Sequence, residues 1–345
     1  MRIAIVTDAW TPQVNGVVNT LRATRKQLRL MGHAVRMVTP EGLRTYSCPT
    51  YPEIRLSYKP YSKVAAVLDS FMPDCIHIAT EGPMGLAARR YCLSNGLDFT
   101  TAYHTRFPEY LRARFHLPLA VTYRWLQWFH GPSKAVMVPT PRMQHTLEKS
   151  GFRNVVQWSR GVDTEHFRPG PREESSLTRP VYLYVGRLAV EKNIEAFLQM
   201  ELPGSKWVIG DGPMRDELER RYPGVRFLGN KAHDALPGYY NCADVFVFPS
   251  RTDTFGLVMI EAMACGVPVA AYPVEGPIDV VADGRSGILN DDLMRACFNA
   301  LTLKRSAVRE YALSYSWEAA TQQFLRNLHP VRRVTHAILP QTSTI

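Results

Sequence analysis

The chain has 345 residues, 46% of them hydrophobic and 21% charged, with a formal charge of +10. That length suits two domains with separate cores, and no apolar run approaches the roughly 20 residues that cross a bilayer as a helix. Ordinary apolar content without a low-complexity tract excludes a fibrous or disordered chain. The six cysteines (48, 75, 92, 242, 265 and 297) are scattered with no Cys-x-x-Cys pair, which points to buried free thiols in a reducing compartment. Charge is unevenly spread: residues 1–160 hold 21 Lys+Arg against 9 Asp+Glu, whereas 161–345 hold 20 against 22. A basic first half suits a polyanion such as anionic lipid, nucleic acid or an acidic glycan. A merely solvated basic surface explains the charge equally well.

Residues 3–7 read as an apolar strand, too short to be the core of a signal peptide, so a cytosolic protein is expected. The loop from Asp8 to Gly16 leads into a helix over about 17–31. This is the layout of a nucleotide-binding first βα unit, in which Gly16 lets backbone approach a phosphate at the helix start. Gly-x-Gly-x-x-Gly is missing, so a dinucleotide site is poorly supported. Along the helix Arg22, Arg25, Lys26 and Arg29 form one cationic stripe opposite Leu21, Thr24, Leu28 and Met31. Such a stripe is commonly a wet face, and it is also what a membrane contact looks like. Strands follow at 34–39, 54–57, 75–79 and 99–103, with helical patterns between several of them, as in a parallel sheet covered on both faces. His104 stands at the carboxyl end of the strand 99–103; alone it reads as structural. Residues 107–134 mix Arg112, Arg114, Arg124 and Lys134 with Tyr110, Phe115, Tyr123, Trp125, Trp128 and Phe129. That composition fits an interfacial anchor and, equally, helix packing inside the domain.

Strands at 135–139 and 154–158 precede Gly161-Val162-Asp163 and a Gly-, Pro- and Ser-containing linker, 166–180. The βα rhythm then restarts at 181–185, followed by Gly186, Arg187 and Lys192 just past the strand end. Arg and Lys there suit a diphosphate, the one as a planar fork and the other as a point charge. Strands at 207–209 and 225–228 follow, the latter ending at Gly229-Asn230-Lys231. The run 245–248 is apolar throughout, as in a strand buried on both faces. A polar turn with Asp253 and Thr254 comes next, and from Gly256 a helix is expected in which Leu257, Ile260, Met263 and Ala264 share a face. Free N–H groups near Phe255 to Val258, at the start of that helix, would form an anion site. Glu261 lies in its second turn, seven residues beyond Asp253. Strands at 269–271 and 287–289 complete the set, and the last helix begins near Ser316.

Taken together, Asp253-x7-Glu261, Gly186-Arg187-Leu188 with Glu191-Lys192-Asn193, Gly161-Val162-Asp163 and the Asn15-Gly16 loop resemble family 4 glycosyltransferases, retaining enzymes of the GT-B fold. The Thr-Asp-Thr-Phe-Gly wording at 252–256 is most similar to the glycolipid branch, which includes sulfoquinovosyl- and glycosyl-diacylglycerol synthases. The first acid is Asp253 here, where the family more often has Glu. The resemblance implies an α/β protein of two Rossmann-like domains whose parallel sheets face a central cleft. Their expected bounds are 1–165 for the acceptor side and 181–311 for the nucleotide-sugar side, with residues 312–330 crossing back as a helix and 331–345 a loose tail. It further implies that Arg187 and Lys192 take the donor's phosphates, Asp253 the sugar hydroxyls, Glu261 the ribose, and His104 the sugar or acceptor, making His104, Arg187, Lys192 and Asp253 the catalytic set. Asn15, Gly16, Gly186, Gly229, Asn230, Phe255, Gly256 and Leu257 complete the donor site by the same resemblance.

No metal or other cofactor is expected, because no cluster has metal-ligand spacing. The expected reaction moves a hexosyl unit from a nucleotide sugar, UDP- before GDP-linked, to a membrane lipid such as diacylglycerol or a glycolipid. The setting would be cytoplasmic, at the inner face of the cell membrane. Transfer to an oligosaccharide in envelope polysaccharide assembly and a sugar-nucleotide epimerase are the alternatives. No nucleic-acid motif accompanies the basic half, so no nucleic-acid partner is expected.

Overall fold

The computed structural model describes residues 1–331 other than 12, 14, 49–50, 107, 110–111, 113–116 and 173–177. Tyr110, Arg114 and Phe115 of the basic, aromatic segment, the middle of the linker and the tail from residue 332 lie outside the described residues, as does the side chain of Cys48.

In chain order the first lobe contains β1 (Arg2–Val6), β2 (Ala34–Val38), β3 (Thr45–Cys48), β4 (Tyr51–Ser57), β5 (Cys75–Ile78), β6 (Thr100–Ala102), β7 (Val136–Val138) and β8 (Val155–Gln157). Six of them form a parallel sheet in the order β2-β1-β5-β6-β7-β8. The segment 54–57, expected in that sheet, instead pairs antiparallel with β3 in a separate two-stranded ribbon. Only two residues separate β3 from β4. A parallel neighbour needs a crossover of a dozen or more, so the short connection dictates a hairpin.

The second lobe holds β9 (Val181–Val185), β10 (Ser205–Ile209), β11 (Arg226–Phe227), β12 (Val245–Phe248), β13 (Val269–Ala271) and β14 (Gly287–Leu289), parallel throughout in the order β11-β10-β9-β12-β13-β14. Strand succession reverses between β9 and β12, which makes the carboxyl ends of these two strands the walls of a crevice.

Alternation along each strand divides the core in two. Phe246 and Phe248 pack with Val181, Leu183, Met259 and Met263 on one face of the sheet; Val245 and Val247 pack with Tyr182, Tyr184, Phe197 and Ala296 on the other. The helix Leu257–Ala264 is buried on nearly every side, Met259 to Ala264 all being inaccessible. Its apolar character thus extends beyond the single face that its spacing suggests.

Two chain segments touch where they cross between the lobes. Val162 N donates to Tyr315 O (3.1 Å), and a Cβ on Gly161 would stand 2.3 Å from Trp317 N, so the crossing admits only glycine there. Beyond it Ser316 caps the helix Trp317–Asn327 by accepting from Glu318 N and Ala319 N. This helix seats Phe324 in a core with Ile3, Ile5, Leu21, Leu28 and Trp158, so the end of the chain packs on the first lobe. Arg172 and Arg179 of the linker both pair with Asp244, at 2.5 and 2.9 Å. None of the described helices is long and apolar enough to cross a membrane.

Candidate active site

The loops after β9, β10 and β11 lie side by side. Gly186 N donates to Ile209 O (2.9 Å), Leu188 N to Asp211 O (2.9 Å) and Gly210 N to Gly229 O (3.0 Å). Tyr184 OH donates to Arg187 O (2.8 Å), fixing the turn that carries Arg187. After the single turn Val190–Lys192, Asn193 adopts the left-handed region at φ 51. Its amide donates to Pro249 O (3.0 Å), and Thr252 Oγ1 donates to Glu191 O (3.0 Å). These two bonds fasten the loop after β9 to the loop after β12. They bring Lys192 Nζ to 2.5 Å from Asp253 Oδ1, across 61 positions of sequence. The other oxygen, Asp253 Oδ2, is shielded from water and has no hydrogen-bond partner among the described residues. A buried acceptor left in that condition costs about 1–3 kcal/mol, a cost that an entering hydroxyl donor would relieve.

Gly256, at φ 82, turns the chain into the helix Leu257–Ala264, a conformation that the absence of a Cβ makes accessible. One helical turn further on, the buried Glu261 accepts from Tyr240 OH at Oε2 (3.1 Å), while His233 Nε2 lies 3.6 Å from Oε1. The carboxylate raises the pKa of His233, against the burial that opposes it. Burial, with Glu261 second, pushes the Tyr240 phenol well above its ordinary range. Arg22, the first member of the cationic stripe, disfavours protonation of His233, so that end of the stripe acts on the second lobe.

The first lobe supplies the facing wall. Asn15 caps the helix Gly16–Leu30, its Oδ1 accepting from Val18 N (3.0 Å). A Cβ on Gly16 would stand 3.8 Å from Leu257 Cδ1, so the loop after β1 meets the start of the helix Leu257–Ala264. Thr254 Oγ1 donates to His104 O (2.9 Å). Arg106 pairs with Glu109 (2.9 Å) and with Glu275 (3.0 Å), and Thr146 donates to Glu275 (2.6 Å). The His104 ring lies edge-on to Trp158 and takes Arg160 Nη2 at 3.2 Å on its Nδ1. Burial, then the Arg160 and His77 side chains, hold its pKa well below the usual imidazole range.

Tertiary structure thus joins Lys192 to Asp253, Gly16 to Leu257, Gly186 and Gly229 to the loop at Gly210 between them, and His104 to the Asp253 turn. Glu261 is held by a separate set of partners. Phe255 packs into the core, edge-on to Tyr315 at 6.0 Å, so only its backbone can serve a ligand. Asn230 is exposed. Asn193 stands within the string Glu191-Lys192-Asn193 but without an assigned role, while Tyr240, His233 and Arg160 carry no assignable signal in the sequence, although Arg160 abuts the Gly161-Val162-Asp163 string.

Folding also brings His166, His233 and Asp234 close enough to share a cation. The two rings stack 5.4 Å apart at 15°, so their in-plane lone pairs run side by side and do not converge on one ion.

Residues 14–166 match the family described as Glycosyltransferase Family 4, and residues 179–302 match Glycosyl transferases group 1. The chain is 31% identical to sulfoquinovosyl transferase SQD2 of Arabidopsis thaliana, over 91% of this chain and 70% of that protein. It is 27% identical to a GDP-mannose-dependent alpha-mannosyltransferase of Mycobacterium tuberculosis, over 98% and 99% respectively. With the alpha-monoglucosyldiacylglycerol synthase of Streptococcus pneumoniae the identity is 26%, over 95% and 85%. The fold matches that of sucrose-phosphate synthase from Thermosynechococcus elongatus with a TM-score of 0.77 at 23% identity, over 94% and 97% of the two chains.

Proposed function

This chain belongs to the group 1, family 4 glycosyltransferases of the GT-B fold, and from that premise we propose that it transfers a hexosyl unit, with retention, from a nucleotide sugar to a membrane lipid such as diacylglycerol or a glycolipid. The observation that carries the donor reading is the Lys192–Asp253 pair at the reversal point of the second sheet. A cation for departing phosphate and an acceptor oxygen for a sugar hydroxyl stand there side by side.

In the reaction the bond between the anomeric carbon and the diphosphate oxygen breaks while the acceptor hydroxyl oxygen bonds to that carbon and its proton passes to the leaving diphosphate, on which negative charge grows. Arg187 and Lys192 would neutralise it, with backbone N–H groups at the start of the helix Leu257–Ala264 adding to the field; preorganised charge of this kind supplies much of the rate in comparable sites. Asp253 would hold the sugar hydroxyls and Glu261 the ribose, with His104 reaching the sugar or acceptor from the first lobe. No side chain is assigned as a nucleophile. Asp253 and Glu261 belong to one lobe, whereas hydrolysis by two carboxylates needs them on both sides of the bond.

The lipid acceptor is supported by the helix Leu119–His130. One face packs inward through Thr122, Leu126, Phe129 and His130, while Val121, Trp125 and Trp128 are 62%, 41% and 52% exposed beside Arg124. Arg89 stacks on Trp128 at 4.0 Å, and Leu86 and Leu93 are exposed on the same helix as Arg89. Exposed indole and aliphatic groups among arginines suit an anionic bilayer surface. Binding to vesicles of phosphatidylglycerol but not of phosphatidylcholine, lost in high salt, is expected. Failure to bind anionic vesicles at low salt would remove the lipid acceptor and favour a soluble or lipid-linked oligosaccharide.

For the base, UDP is our first choice, and the mannosyltransferase relative keeps GDP as the second. Thermal-shift comparison of UDP- and GDP-sugars decides, since a ligand of the native state raises its apparent stability.

A further inference from the structure

We propose that Arg160 is a positioning residue that locks His104 in the neutral tautomer with its proton on Nε2, so that His104 serves the reaction as a hydrogen-bond donor and not as a general base. The tautomer follows from the free protein alone; its use in transfer rests on the function proposed above.

A guanidinium can only donate. Arg160 Nη2, 3.2 Å from His104 Nδ1, therefore requires a lone pair on that nitrogen, and the proton of the neutral ring must sit on Nε2. His104 Nε2 is shielded from water and has no hydrogen-bond partner among the described residues, which leaves a donor in want of an acceptor. Arg160 itself is only 4% exposed. Its remaining contacts are the carbonyls of Trp158 and Ser159, together with the Trp158 ring 4.4 Å beneath it. No carboxylate pairs with it among the described residues, and burial lowers its pKa to about 9, which leaves it charged at neutral pH.

The other titratable group facing His104 is His77, on β5, whose Nδ1 is bonded to Thr100 Oγ1 at 2.9 Å. From the second lobe Thr254 reaches the His104 carbonyl and not the ring. A fixed cation at one nitrogen opposes an imidazolium, so the ring cannot collect a proton from the acceptor hydroxyl. What remains is an N–H suited to a hydroxyl or ring oxygen of a sugar. The sequence separates the partners by 56 positions, and only the turn after β8 brings Arg160 to the Nδ1 edge of the ring.

The test is nitrogen NMR of the full chain with labelled histidine, His104 being identified by the signal lost in His104→Gln. The Nε2–H pattern, unchanged through the near-neutral range, is expected for the wild type and for Arg160→Lys, which keeps a donor. Arg160→Met should give a mixed tautomer whose pKa rises above that of the wild type while burial, the larger cause, still holds it below the ordinary imidazole range, and the acid inflection of its pH–kcat profile should move upward, with KM for donor little changed. An Nδ1–H pattern in the wild type, or a wild-type His104 that titrates near neutrality, overturns the proposal even if Arg160→Met fails to fold. So does an unchanged His104 spectrum in a folded Arg160→Met. The spectrum is read without substrate; loss of all transfer activity with the expected tautomer intact would therefore count against the proposed function and not against the lock.

Discussion

Lys192→Ala removes the ammonium 2.5 Å from Asp253 Oδ1 and leaves a carboxylate whose second oxygen already has no partner among the described residues. A hydrogen bond to a charged group is worth about 1.5–3 kcal/mol, but these side chains are 22% and 14% exposed, so solvent screening reduces that. A loss near 1–2 kcal/mol is expected, and in a lobe of this size each kcal/mol lowers Tm by about 2–4 °C. Turnover should suffer far more. Removing one preorganised group that meets developing charge costs about 10²–10³ in kcat, equivalent to about 2.7–4 kcal/mol. The assay is steady-state release of nucleoside diphosphate, using whichever nucleotide sugar stabilises the fold, beside thermal unfolding of the same samples. The double variant Lys192→Ala/Asp253→Asn separates the two effects, because it removes the stranded charge. It should regain most of the lost stability and none of the turnover. Turnover within a few-fold of wild type in Lys192→Ala, or restored in the double variant, would refute the assignment of Lys192 to the leaving group.

Glu261→Gln should lower the pKa of His233 and weaken the stabilisation conferred by UDP or GDP, the former read by proton NMR titration and the latter by thermal shift. Because the folded pKa of His233 is raised, the stability contributed by its contact with Glu261 is full below the unfolded value of about 6.5 and is lost as pH rises through the folded value. The stability gap between wild type and Glu261→Gln should therefore narrow with rising pH, and a gap that widens would contradict the pairing. His77 carries the opposite sign: burial, then Arg160, lowers its pKa to about 3. Its neutral form is favoured in the fold, so stability falls as pH drops below about 6.5, by about 1.4 kcal/mol per pH unit from this group. Urea unfolding of His77→Phe across acid pH should show a flatter decline than wild type; identical slopes would count against a buried neutral ring. Gly161→Ala places a methyl 2.3 Å from Trp317 N, and as backbone can yield little the cost should be about 3 kcal/mol, the upper end for overpacking. An unchanged Tm in that variant would mean the crossing is looser than described.

The parts of the candidate site that were legible were contiguous strings at strand ends. Arg187 and Lys192 follow β9, and Asp253 and Glu261 follow β12; each string shows its own strand, turn and helix by local periodicity. Their resemblance to family 4 glycosyltransferases is met by the relatives and by the fold. The hairpin Thr45–Ser57 departs from the expected parallel strand because β4 shows strand composition, while the two-residue connection that decides its pairing has no periodic signal. Tyr240, His233 and Arg160 escaped because single polar residues outside a repeated pattern carry no period to detect.

Element order, the two-lobe architecture and the strings that carry Arg187, Lys192, Asp253 and Glu261 lie in the amino-acid sequence, because a strand or helix declares its buried face through neighbours a few residues away. Which strings meet is a different matter. Lys192 touches Asp253 only because parallel β9 and β12 place their carboxyl ends together, and Arg160 meets His104 Nδ1 only because the chain turns there after β8. Contacts of that range are set by sheet order and by the packing of whole lobes, so the charge, tautomer and partners of each group become defined only once the chain has folded.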